Sequence, residues 1–84
     1  MKPFRKLAKS LVKYFEQYGA GSVYLFPSNE SRVTFITPQF HLTVWERDGK
    51  VQVCQDFGQG RPMYLTYEYT DSWLESDIRA LLQG

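Results

Sequence analysis

The chain is 84 residues long with a mass of 9.9 kDa, which leaves room for one small core and reads as a single domain over residues 1–84. Hydrophobic residues make up 43% of it, fourteen of them aromatic, and the net charge is +1; this excludes a disordered or uniformly charged tail. The single Cys excludes an intramolecular disulfide and any zinc site that needs two thiolates.

The chain starts on the basic run Met1-Lys2-Pro3-Phe4-Arg5-Lys6, and Lys9 and Lys13 interrupt any apolar run of the kind an export signal needs. No stretch approaches the roughly 20 apolar residues of a membrane span. The expected location is therefore cytoplasmic, with a reduced thiol and no membrane partner.

Between Phe4 and Tyr18, the residues Phe4, Leu7, Ala8, Leu11, Val12, Phe15 and Tyr18 recur every three or four positions, the period of an amphipathic helix. Gly19-Ala20-Gly21 ends it, with Gly19 in the position of a left-handed helix terminator. From Ser22 the period becomes two, and strands are expected at 22–27, 32–37, 40–47, 50–57 and 63–70. Pro27-Ser28-Asn29-Glu30-Ser31, Thr37-Pro38-Gln39 and Gly58-Gln59-Gly60-Arg61-Pro62 are the intervening turns.

The sharpest local signal is Asp48-Gly49, a pair suited to the two positive φ angles of a type I′ hairpin. A two-residue loop fixes the register, setting Arg47 against Lys50, Trp45 against Gln52, Thr43 against Cys54 and His41 against Asp56. Phe40, Leu42, Val44, Val51, Val53 and Phe57 then share the core side. On the last strand, Met63, Leu65, Tyr67 and Tyr69 share a face.

A second helix is expected over 72–82, with Ser72 and Glu75 as a capping box, Asp71 as the rival cap, and Trp73, Leu74, Ile78, Leu81 and Leu82 as its apolar side. The order helix, five-strand meander, helix defines an α+β fold, most simply one antiparallel sheet with both helices on its apolar face.

Near neutrality conceals two unlike parts. Lys2, Arg5, Lys6, Lys9 and Lys13 give +5 in the first thirteen residues, and the remainder carries −4. The five cations share the helix face opposite its apolar stripe, where Lys2 and Lys6, Arg5 and Lys9, and Lys9 and Lys13 are like-charge neighbours four residues apart. Several also sit at the positive end of the helix dipole. The stripe reads either as a solvated face or as a contact for phosphate or an acidic protein surface. The second helix instead carries acid at its start, with Arg79 further along.

His41, Asp56, Thr43 and Cys54 meet on one side of the hairpin and match a base, an orienting carboxylate and a thiol nucleophile by type. A strand face supplies neither oxyanion hole nor pocket, so a cross-strand His–Asp pair is the plainer expectation. With one His and one Cys, no metal or cofactor is expected. Asp56-Phe57-Gly58 matches a kinase motif by letter only, and Gly58-Gln59-Gly60-Arg61 opens into a strand where a phosphate loop opens into a helix.

Tyr24, Phe26, Trp45 and Tyr64 fall on the strand faces opposite the core, where aromatics either stabilise the sheet or form a platform for a partner. Together these features lead us to expect a non-enzymatic, stand-alone binding protein. By its size it suits a small inhibitor or adaptor of the phage or mobile-element type, a host-defence antagonist that blocks a nucleic-acid-targeting complex such as CRISPR-Cas. Its expected partner is a larger protein or protein–nucleic-acid complex, met through Trp45, Tyr64 or the stripe of Lys2, Arg5, Lys6, Lys9 and Lys13. Direct nucleic-acid binding by that stripe is the alternative, and a Cys/His/Asp enzyme the third; the chain is expected as a monomer or homodimer.

Overall fold

Pro3, whose missing N–H costs nothing at a first helical position, opens α1 (Pro3–Tyr18) in the computed structural model, which describes residues 3–19, 21–25 and 31–83. Phe4, Leu7, Ala8, Leu11 and Phe15 form its buried stripe, as their spacing predicts. Gly19 closes the helix differently from expectation. Its N–H donates to the Phe15 carbonyl at 2.8 Å and its φ is not positive, so there is no left-handed terminator at this position. The glycine is required for space, because a Cβ there would lie 2.4 and 2.5 Å from carbons of the Phe15 ring.

Five antiparallel strands follow in meander order: β1 (Ser22–Leu25), β2 (Arg32–Ile36), β3 (His41–Arg47), β4 (Lys50–Asp56) and β5 (Met63–Tyr67). Asp48 and Gly49 adopt φ values of 53° and 76°, and every expected pair of the hairpin, from Arg47 with Lys50 to His41 with Asp56, is formed. Between β2 and β3 the Thr37 hydroxyl accepts the Phe40 N–H at 2.9 Å and donates to the Phe40 carbonyl at 3.0 Å, ending β2 one residue early.

Alternate residues Val33, Phe35, Leu42, Val44, Val51 and Val53 face one way and are buried. Against them pack α1 and α2 (Leu74–Gln83), the latter through Leu74, Ile78 and Leu82. The Phe15 and Phe35 rings, 5.1 Å apart, join α1 to the sheet. Both helices therefore cover the same face, and the chain has the expected α+β layout.

Three assignments, those of Phe57, Tyr69 and Trp73, change at the ends of elements. Phe57 lies beyond β4 and is 53% exposed, although its ring still meets that of Phe40 at 5.6 Å. Met63 shares the face of Leu65 and Tyr67 as expected, although at the first position of β5 it is exposed. Tyr69 leaves the strand, and its hydroxyl donates to the Glu46 carboxylate. Trp73 precedes α2 and is 55% exposed; just upstream, the Asp71 carboxylate accepts the Glu68 N–H at 2.9 Å and holds residues 68–71 in a turn. Glu75 accordingly pairs with Arg79 at 2.9 Å in place of the expected capping box. In compensation Gln55, a polar residue on the core side of β4, is only 3% exposed and donates to the Leu81 carbonyl at 3.2 Å, satisfying one of the terminal acceptors of α2.

Candidate functional site

Because α1 and α2 occupy one side of the sheet, the alternate strand residues form a second face that no helix covers among the described residues. Arg32, Thr34 and Ile36 of β2, His41, Thr43 and Trp45 of β3, Gln52, Cys54 and Asp56 of β4, and Tyr64 and Thr66 of β5 lie on it by register. Two adjoining shallow depressions share Arg32, Thr43 and Cys54. One, of about 420 Å³, is bounded by Trp45 and Tyr64, and the other, of about 450 Å³, by Ile36, His41 and Asp56.

Tyr64 is 67% exposed and stands opposite Cys54. A side-chain hydrogen bond to Cys54, reinforced by the cost of placing a phenolate beside a thiolate, raises its phenol above the ordinary tyrosine value. Trp45 is half-buried between its register partners Arg32 and Gln52. Among the described residues neither ring stacks on another aromatic. The Phe26 residue and the Tyr24 side chain lie outside the described residues.

His41, Asp56, Thr43 and Cys54 do come together on this face, in the register their hairpin predicts. The expected His41–Asp56 pair is not made among the described residues. The Asp56 carboxylate instead accepts the Gly58 N–H at 2.8 Å, a local turn bond that draws it along its own chain. Thr43 shares a hydroxyl–hydroxyl bond with Thr34 at 3.2 Å. Among the described residues no three His, Cys, Asp or Glu side chains gather as a metal site would require, and no helix is long and apolar enough to cross a membrane.

The basic residues of α1 lie on the other side of the molecule. Arg5, Lys6, Lys9 and Lys13 are exposed along α1, opposite the stripe that packs on the sheet, whereas Lys2 lies outside the described residues. The seven site residues expected from sequence are thus divided: the described cations face away from the sheet, and Trp45 and Tyr64 lie on its far face. Lys6, Lys9 and Lys13 form no ion pair among the described residues.

Sequence reasoning missed Arg32, Thr34 and Ile36 as members of the open face, since their phase depends on where the Thr37–Phe40 turn sets β2 against β3. It also missed a groove of about 550 Å³ between the helices, lined by Lys13, Tyr14, Tyr18, Arg79 and Gln83. There the Arg79 guanidinium lies 5.1 Å from the Tyr14 ring centroid and donates to Ser10 at 3.1 Å. Only the pairing of α1 with α2 creates this groove.

No protein-family model, curated protein sequence or solved structure matches the chain.

Proposed function

We propose that this protein is a non-enzymatic binding module that docks onto a larger protein through its open sheet face, with Trp45 and Tyr64 as the aromatic anchors. The observation that carries this reading is that both helices pack on one side of the sheet, leaving Tyr64 exposed on the other beside Trp45 and two shallow depressions. Tyr and Trp are the residue types that concentrate binding energy when a partner desolvates them. Arg32, Thr43, Gln52 and Thr66 surround them with groups that hydrogen-bond at the rim of such a contact.

The biological form proposed is a small cytoplasmic inhibitor or adaptor, of the kind with which a phage or mobile element blocks a host nucleic-acid-targeting complex; its support is the size and single core of the chain. The test is affinity capture with the wild-type chain, Trp45→Ala/Tyr64→Ala, and Lys6→Glu/Lys9→Glu/Lys13→Glu. A protein recovered by the wild type and by the lysine variant, and lost from the aromatic variant, supports the reading. Equal recovery by all three chains refutes it.

A second reading rests on the exposed Lys6, Lys9 and Lys13, which form no ion pair among the described residues and suit phosphate contacts. It requires a gel shift with nucleic acid that weakens steeply with salt and disappears in the lysine variant. Retention of nucleic acid by that variant, or no shift at low salt, removes it.

A further inference from the structure

Among the described elements β5 is an outer strand of the sheet, with β4 on one side and no strand on the other. A two-residue hairpin makes Arg47 and Lys50 a hydrogen-bonded pair, and the alternation that follows turns the backbone groups of Val51, Val53 and Gln55 toward β5. The same alternation carried toward β2 calls for a bond between Glu46 and Ser31, and the Glu46 N–H does donate to the Ser31 carbonyl at 2.8 Å. On β5, Met63, Leu65 and Tyr67 therefore bond to β4, while Tyr64 and Thr66 direct N–H and C=O outward.

This edge has definite ends. Pro62 has no N–H to offer. Glu68, next in phase after Thr66, already has both groups engaged: its N–H donates to the Asp71 carboxylate at 2.9 Å, and its carbonyl accepts the Asp71 N–H at 3.1 Å. Between them Met63-Tyr64-Leu65-Thr66-Tyr67 holds no charge and no proline, the usual devices that keep edge strands apart. Among the described elements β5 pairs with β4 alone.

We infer that the occupant of this edge is β5 of a second copy, antiparallel about a two-fold axis at Leu65. Tyr64 of each copy then meets Thr66 of the other, and the four outward N–H and C=O pairs are satisfied reciprocally. The same register sets Pro62, which lacks a donor, opposite Glu68 of the second copy, whose own groups are already engaged. Neither member of that pair has a free N–H, so the bonding seam ends at the same point on both copies. The outcome is a continuous ten-strand sheet whose two open faces adjoin, and this inference does not depend on the partner reading above.

Light scattering on the full chain from about 1 µM to about 1 mM tests it, since a self-association rises with concentration by mass action. The expected mass climbs from 9.9 kDa toward twice that value. Thr66→Pro removes one outward donor per copy without touching the β4 ladder, so two bonds at about 1 kcal/mol each weaken the dimer by about 30-fold. Amide exchange on the wild type gives a second readout: protection at Tyr64 and Thr66 should increase with concentration. A mass fixed at 9.9 kDa overturns the inference. So does a dimer without concentration-dependent protection at those two amides, which would place the contact elsewhere.

Discussion

If Trp45 and Tyr64 serve a partner, removing them should cost binding and little fold. Tyr64 is 67% exposed, so about a third of its surface is covered. Taking an aromatic side chain as about 200 Å², that third is about 65 Å², or at most about 1.6 kcal/mol at 25 cal/mol per Å². Phe35, fully enclosed between α1 and the sheet, is the internal comparison; its replacement by Ala should cost about 3–5 kcal/mol. For a domain of this size each kcal/mol moves Tm by about 4–8 °C, so Tyr64→Ala should lose no more than about 13 °C and Phe35→Ala about twice that or more. Thermal melts followed by circular dichroism on both variants provide the assay. Should Tyr64→Ala and Trp45→Ala each destabilise as much as Phe35→Ala, the two rings are holding the sheet together and the case for a docking face fails.

Gly19→Ala should cost about 1–3 kcal/mol by chemical denaturation, because its Cβ would meet the Phe15 ring at 2.4 Å inside the packed end of α1; unchanged stability would mean the ring has room to move. At high pH the fold should weaken. Burial and the Glu46 bond raise Tyr69, burial and Asp77 raise Tyr67, and Cys54 raises Tyr64, so these groups hold their protons more tightly when folded. Their contribution is intact below the unfolded tyrosine value near pH 10 and is lost as pH rises past it, so Tm should fall above about pH 10, and less steeply in Tyr69→Phe. Lys9→Glu converts two like-charge neighbours, Arg5 with Lys9 and Lys9 with Lys13, into opposite-charge ones and should stabilise by about 1 kcal/mol in low-salt melts. A loss of stability would show that Lys9 has a structural partner.

Much of the fold was legible because its local chemistry admits one answer. Asp48-Gly49 allows one hairpin, and that hairpin fixes the phase of Leu42, Val44, Val51 and Val53. The misplacements arise where a strand period was carried past the last strand bond. Phe57 and Tyr69 fit the alternation of their strands, yet Asp56 bonds to Gly58 and Asp71 to Glu68, and each turn redirects the chain. Gln55 was illegible for a different reason. A polar side chain on a core face is explained only by the Leu81 carbonyl of α2, twenty-six residues away. The candidate site was half legible: Trp45 and Tyr64 follow from strand phase, but aromatics occur on both faces, and only the packing of the helices decides which face is open.

That packing bears on how the two candidate surfaces relate. The apolar residues from Phe4 to Phe15 hold α1 against the sheet, so its cations must point away from Trp45 and Tyr64. The molecule measures 32 × 26 × 25 Å, and a partner flat against one surface does not reach the other. A stacking site assisted by these lysines is therefore not available on a single strand lying on the sheet. The charges nonetheless run against helix stability: α1 has no acid in its first turn, whereas α2 has Glu75 and Asp77 there, as the dipole favours. If both surfaces act, they act on different partners from opposite sides, which favours an adaptor over a simple plug; if only the sheet face acts, Lys9→Glu should leave capture of its partner unchanged while raising Tm.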